Sequence, residues 1–454
     1  MEWRIIDKMA PSKYLTAPIP SEKIPQGIPY IVSNEAAERF SFYGNNCILV
    51  IFMTTYLMGE GGRLAVMTDE NAKACFHWFV SAVYFFPILG ALLSDIFLGK
   101  YRTIISLSLV YCLGHLALAL NDTHLGLLLG LGMIAIGSGG IKPCVSATVG
   151  DQFGQTNQHL LEKVYGWFYF AINLGAFAST ILTPWILNKY GPHWAFGVPG
   201  ILMGLATLIF WLGRKKYVHI PPGGIAFVKE CFSGEGLRAI GKLSIIYFFG
   251  VVFWALYNQT ASAWVLQAKH MDRHIWKFEL LPSQIQAINP LLIMLMIPLF
   301  TEIIYPALNR LFTLTALRKV ALGFFVTALA FMVSAGIELR IEAGSTPTIA
   351  WQLLAYIIIT AAEVMVSITF LEFSYTQAPK KMKSFIMSIF LLSISLGNAV
   401  TALVNEIIQN PDGTSKLSGA HYYWFFAAMM LITAVVFIFV ARTYQVKNYL
   451  QDEG

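Results

Sequence analysis

Glu35, Glu38 and Arg39 stand at helical spacing inside a stretch that otherwise reads as membrane-spanning, the segment 34–44. If a helix starts near Pro29, a rise of about 1.5 Å per residue puts Glu35 roughly 9 Å in and Arg39 roughly 15 Å in. That is about halfway across a hydrocarbon core of about 30 Å. An ionised side chain at that depth costs at least ~2.5–3.5 kcal/mol unless it meets a partner or a wet cavity. Positions 35, 38, 39, 42 and 46 differ by steps of three and four and share one face, and Glu35 with Arg39 is an i, i+4 pair in the favourable order. A helix end among headgroups is the plainer reading. The apolar run that continues to Leu57 favours a charged face lining a polar pathway. Such carboxylates beside a fixed cation can accept and release protons, because burial favours a neutral carboxyl unless a cation holds it ionised.

Further charges and amides fall in other apolar runs. Lys142 follows Gly137-Ser-Gly-Gly-Ile, glycines that let another helix or a ligand approach closely. Asn173 lies in Phe168-Tyr-Phe-Ala-Ile-Asn, where a lone asparagine serves equally well as glue between helices. The second half carries Trp254-Ala-Leu-Tyr-Asn-Gln, Asn289-Pro290, Glu302, Glu363 and Glu372. Glu363 and Glu372 are nine residues apart, about half a turn out of phase, and need not line one surface. Cations from the first half (Arg39, Lys142) facing an acid from the second (Glu363) suit a zwitterion, its carboxylate toward the first half and its ammonium toward the second. A sugar carrier needs few of these charges.

The elements that must position these residues are membrane helices. Of 454 residues, 56% are hydrophobic and 12% charged, against a globular norm of about 25% charged. With a mean hydropathy of +0.62, the chain reads as a polytopic, all-α membrane protein. Its five scattered cysteines form no Cys-x-x-Cys pair, which argues against a disulfide framework or a zinc site. No apolar signal-peptide core is seen in residues 1–28. Apolar spans fall near 29–58, 74–98, 101–120, 124–148, 163–188 and 194–213, then 243–268, 284–313, 316–339, 348–376, 383–407 and 421–444. Lys and Arg outside the spans lie mostly on the side of the N-terminus, which places both termini in the cytoplasm. The layout is a cytoplasmic segment 1–28, a six-helix bundle 29–213, a cytoplasmic linker 214–242, a second bundle 243–444 and a cytoplasmic tail 445–454. The linker holds Pro-Pro-Gly-Gly at 221–224 and a short amphipathic piece. Asp95 and Lys100 mark a tight turn after the second span, of the kind that hinges paired helices, and Lys380, Lys381 and Lys383 close the tenth. Twelve spans in two halves is the outline of the major facilitator fold, whose ligand site lies between the halves near mid-membrane.

Specific motifs carry a resemblance across essentially the whole chain. They are Glu-x-x-Glu-Arg-Phe-x-Phe-Tyr-Gly, Gly-Ile-Lys-Pro-Cys-Val-Ser-Ala with the later Gly-Asp-Gln-Phe, Phe-Tyr-x-x-Ile-Asn-x-Gly, Phe-Trp-Ala-Leu-Tyr-Asn-Gln and Leu-Glu-Phe-Ser-Tyr-Thr-Gln-Ala-Pro. In these the chain resembles the proton-dependent oligopeptide transporters. His77–Leu98 and Glu372–Ser384 look close to the mammalian intestinal and renal members, although their large extracellular domain has no room here. Nor has the extra helix pair of many bacterial members. The resemblance implies import of di- and tripeptides across the plasma membrane by alternating access. The proton gradient is then the energy source, with no cofactor, no metal, no nucleic acid and no enzymatic activity expected. It assigns the peptide carboxylate to Arg39 and Lys142 and the amino group to Asn173, Asn289 and Glu363. Side-chain pockets fall to Tyr43, Tyr84 and Trp254, and proton coupling to Glu35, Glu38 and His77. From residue type alone, without the resemblance, His77 reads as an interfacial histidine at a helix start.

The chain departs from the family pattern at several points. Phe42 stands where a tyrosine is usual, and Phe390 replaces a tryptophan of some bacterial members. Asn46 replaces an arginine and Asn258 an acid, the two partners of an ion pair between the halves. A hydrogen-bonded amide pair is the expected replacement, one that no longer titrates. These departures keep open a carrier of another anion or zwitterion (nitrate, an amino acid), or an uncoupled peptide facilitator. Glu363 favours zwitterions, since a pure-anion carrier has little use for a facing acid. No nucleophile–base pair, metal-spaced cluster or phosphate loop points to an enzyme, and asymmetric charges argue against a channel. Oligomeric state is not legible.

Overall fold

Residues 14–59, 61–222, 224, 234–377 and 383–444 are described in the structure, a computed structural model. Residues 1–13 of the expected N-terminal segment, 225–233 of the linker, Lys380 and Lys381, and the tail 445–454 lie outside them.

The described residues form twelve long helical rods. The first half comprises α1 (Ile28–Thr55), α2 (Asp69–Leu98), α3 (Lys100–Leu120), α4 (His124–Asp151), α5 (Leu161–Tyr190) and α6 (Pro192–Leu212). The second comprises α7 (Ile240–Ala268), α8 (Pro282–Leu311), α9 (Ala316–Glu342), α10 (Ala350–Ser374), α11 (Lys383–Ile408) and α12 (Ala420–Thr443). By length and composition, 11 of the described helical segments can cross a membrane. α1 has the length at 28 residues, but its polar face keeps it out of that set. Spans expected from the apolar runs match these rods to within a few residues.

Local chemistry sets the ends. Thr68, Thr123 and Thr315 cap α2, α4 and α9, each accepting from the backbone N–H three residues on, and Asp69 and Glu70 complement the N-terminal dipole of α2. Gly99 and Gly191, both at positive φ, make the abrupt turns into α3 and α6. Between α7 and α8, a two-stranded hairpin pairs β1 (His274–Ile275) antiparallel with β2 (Phe278–Glu279), in the register His274 with Glu279.

Each half has its own apolar core, one around Ile48, Phe52, Phe76 and Phe196, the other around Phe253, Trp264, Phe324 and Phe370. Within the first half α2 and α4 touch backbone to backbone. A Cβ on Gly90 would lie 2.2 Å from the Gly140 carbonyl oxygen, so the glycine run before Lys142 serves helix packing.

The halves are joined by hydrogen bonds toward the face where α1 ends. His77 bonds Asn398 at 2.8 Å and Ser262 at 2.9 Å, the Trp78 indole donates to Glu406 at 2.7 Å, and Lys269 donates to Thr54 at 2.8 Å. Ala261 and Leu266 of α7 are part of the first half's core. This face is therefore bolted, by neutral contacts more than by ion pairs.

Three rods carry π turns and one a 3₁₀ break. α2 has its π turn at Leu93–Leu98, α8 at Phe300–Ile304 and α10 at Val364–Ile368, immediately after Glu363. The 3₁₀ turn Asn258–Ala261 interrupts α7 just past Trp254. Such irregular turns re-aim side chains and are frequent at functional sites. At the expected hinge, Lys100 does not pair with Asp95 but reaches Asp151 of α4 at 2.6 Å, since the π turn separates the two ends.

Candidate functional site

A cavity of about 340 Å³ lies between the halves. α1 contributes Phe42, Tyr43 and Asn46, α2 Tyr84, and α5 Tyr169 and Asn173. From the second half come Trp254, Tyr257 and Asn258 of α7, Asn289 of α8, Glu363 of α10 and Phe390 of α11. Most of the residues singled out from the sequence thus converge on one volume, within the usual range for small-molecule sites.

Glu363 is the acid of this cavity. Its Oε2 accepts from Asn289 Nδ2 at 2.9 Å, and Asn289 Nδ2 also reaches Thr360 Oγ1 at 3.0 Å. Among the described residues no cation pairs with it. The Tyr257 hydroxyl donates to Asn289 Oδ1 at 3.5 Å and completes the cluster. Tyr257 and Thr360 were not singled out from the sequence. Tyr257 carried a signal, standing one turn beyond Trp254 on the same helix face.

Arg39 and Lys142 do not line the cavity directly. Arg39 is ion-paired with Glu35 at 3.0 Å and with Glu38, and all three are nine-tenths or more buried. Lys142 Nζ sits 4.1 Å from the Phe42 ring centre and 4.2 Å from that of Tyr84, with no hydrogen-bond partner. Phe42 and Tyr84 are themselves cavity walls. The lysine therefore waits behind two aromatic faces, held by cation–π attraction, while Arg39 is already satisfied.

His77 stands apart from the cavity lining, fully buried in the bolted face. Its two bonds to the second half, through Asn398 and Ser262, were beyond sequence reasoning because both partners come from distant helices. The expected amide pair does not form. Asn46 and Asn258 both line the cavity, but Asn258 Nδ2 turns back to the Trp254 carbonyl at 3.3 Å, and Asn46 Oδ1 is buried without a partner. The 3₁₀ turn that begins at Asn258 offers its amide a nearer acceptor in its own helix. Glu302 and Glu372 are exposed on their rods, away from the site.

Two helical bundles around one charged, aromatic-walled cavity define a polytopic membrane protein of the major facilitator fold. A family model described as the POT family matches residues 101–234 and 229–425, and the chain belongs to that family. It is 38% identical over 375 residues to the Drosophila melanogaster protein named peptide transporter family 1, covering 72% of this chain and 49% of that one. It is 36% identical over 368 residues to human solute carrier family 15 member 2, covering 70% and 49%. The chain thus spans about half the length of these curated relatives. Among solved structures, an auto-inhibited POT family peptide transporter aligns with a TM-score of 0.85 at 36% identity, covering 94% of this chain and 99% of that one. The POT family transporter PepTSo aligns equally well, with a TM-score of 0.85 at 37% identity, covering 94% and 99%.

Proposed function

We propose that this protein is a proton-coupled symporter that imports di- and tripeptides by alternating access, with both termini in the cytoplasm and the plasma membrane as its site. One observation carries the reading: the cavity has an unpaired cation, Lys142, behind one wall and a cation-free acid, Glu363, in the other. A zwitterion with a carboxylate at one end and an ammonium at the other satisfies both. Asn173, Asn289 and the free oxygen of Asn46 supply amide groups between them, and Tyr43, Tyr84, Trp254 and Phe390 supply apolar walls. The names of the relatives support the substrate class.

The bolted face is then the extracellular gate, and this conformation is closed to the outside. Protons enter through the carboxylates that bind Arg39. A proton on Glu35 or Glu38 loosens that carboxylate's hold on Arg39 and frees it to turn toward substrate. Competition between a proton, the substrate carboxylate and Arg39 couples the two fluxes. The neutral residues Asn46 and Asn258, standing unpaired with each other, favour one second reading, an uncoupled peptide facilitator.

Uptake of labelled dialanine into proteoliposomes, with and without an inward proton gradient, tests this in wild type and Glu38→Gln. Gradient-driven accumulation that falls to passive exchange in the variant is the expected result. Equilibration without accumulation in wild type points to the facilitator. No uptake of any peptide overturns the reading in favour of another anion or zwitterion.

A further inference from the structure

α1 turns a second polar face away from the cavity, into the first half. Glu38, Ser41 and Asn45 follow one another at steps of three and four, and all are essentially inaccessible, at 1%, 0% and 0% exposed. Phe42 stands between them and the cavity-lining residues Tyr43 and Asn46, so the two faces of one helix are separated by its ring.

The inner face meets α3 and α4 in a cluster of groups that lack partners. Ser41 Oγ and His115 Nε2 are 2.7 Å apart, and the Tyr111 ring stacks on the His115 imidazole at 5.1 Å. The Tyr111 hydroxyl lies beside Glu38, Ser41 and Ser138 without completing a hydrogen bond to any of them. His115 Nδ1, Ser138 Oγ, Tyr111 Oη, both Asn45 side-chain heteroatoms and Glu38 Oε1 are buried and unbonded, while Glu38 Oε2 is the oxygen that meets Arg39. Buried polar groups are rarely left so, because each costs about 1–3 kcal/mol unmet. A water needs two to four polar partners, and these groups supply them. On the α6 side Gly200 lies against His115, where a side chain would crowd the imidazole.

We propose that α1, α3 and α4 enclose an internal water site linking Glu38 to His115, sealed from the peptide cavity by Phe42, and that this site holds the symported proton. His115 is its positioning residue. Through Ser41 on one nitrogen and water on the other, it keeps the hydroxyl of Tyr111 and the waters oriented toward Glu38. While Glu38 is protonated, its O–H donates to a water of the site; when the proton leaves toward the cytoplasmic side, the carboxylate returns to Arg39. The charged and titratable groups facing the site are Glu35, Glu38 and Arg39 of α1, Tyr111 and His115 of α3, and Lys142 of α4. The role of the site rests on the symport reading above, but its hydration does not.

Radiolytic labelling of the full chain in detergent tests the hydration. Tyr111, beside bound water, is expected to oxidise on millisecond exposure at least about tenfold faster than Tyr356, equally buried but bonded to the Thr260 carbonyl at 3.0 Å. Equal, negligible labelling of the two tyrosines overturns the site. The role is read from the pH profile of proton-driven dialanine uptake. His115→Gln is expected to move its midpoint by about one pH unit, the size of shift that a lost polar neighbour produces. A drop in rate that is the same at every pH overturns the role and leaves a merely structural histidine. If His115→Gln does not fold, Tyr111→Phe, which keeps the ring, is held to the same two outcomes. Fast labelling of Tyr111 in a wild type that moves no peptide keeps the site and refutes symport.

Discussion

On the wall built by α1 and α4, four ionisable groups crowd together, and three of them satisfy one another: Arg39 is held by Glu35 and Glu38 while Lys142 is left over. On the wall built by α7, α8 and α10, a single acid, Glu363, rests on an amide. The first wall contains its charge internally and exposes little of it to the cavity, whereas the second leaves its charge unanswered. The contrast separates two tasks that composition alone merges. A closed ion-pair cluster suits switching, and an isolated charge suits binding.

The largest effect is expected where binding is isolated. Glu363→Gln removes the unanswered acid, and uptake of a zwitterionic dipeptide should fall by about a hundredfold, in line with ~2–5 kcal/mol for a buried charged contact. An N-acetylated dipeptide, lacking the ammonium, should lose far less. Equal losses for both peptides would break the contrast.

Thermal unfolding in detergent separates the two cations. Arg39→Ala leaves two carboxylates buried without a cation and should destabilise by about 3–5 kcal/mol. Lys142→Met removes a charge that has no ionic partner here, and its melting temperature should stay level or rise. A comparable fall in both would mean that Lys142 is as deeply committed to the cluster as Arg39.

A smaller effect is expected from rebuilding the ion pair between the walls. Asn46→Arg with Asn258→Asp should steepen the pH dependence of uptake if the neutral amides have removed a titrating gate. An unchanged profile and rate would remove the pair from coupling.

The mildest effect belongs to the periphery of the first half, outside the membrane. There His219 stacks on Tyr14 at 4.4 Å, and its backbone N–H bonds the Leu15 carbonyl at 2.7 Å. Burial pushes the His219 imidazole below its ordinary value, against a weaker opposing bond to the Arg214 carbonyl. The docked state thus binds the proton less readily than the released one. Docking should be fully present above the ordinary histidine range, about 6.5, and weaken as pH falls through it. Faster amide exchange at His219 near pH 5 than at pH 7.5 would show this, with uptake chemistry untouched.

Much of this was legible in the chain. The rods follow from apolar runs that only a bilayer accommodates, and α1 could be recognised despite its charges because its apolar run continues to Leu57. Convergence of Tyr43, Tyr84, Asn173, Trp254, Asn289 and Glu363 followed from motifs. What could not be read is how charges pair once helices meet. The hold of Glu35 on Arg39 was legible as an i, i+4 pair, but that Lys142, on another helix, is left without either carboxylate is decided by packing alone. Asn258 shows the same limit, since its amide is claimed by a local 3₁₀ turn that hydropathy does not register. His115 and Tyr111 read as ordinary members of an apolar span until α1 is laid against them.

The π turn at Val364–Ile368 has an inheritance of its own. A π turn holds one residue more than the α turn it replaces, and the bulge absorbs that residue so that the helix on either side keeps its face. Glu363 stands just before it, so deleting one residue of the turn would restore regular α geometry while leaving the acid and the Thr369–Ser374 end against their present neighbours. Lineages descending from this chain can therefore gain or lose the bulge by a single codon and revise only the backbone beside the acid.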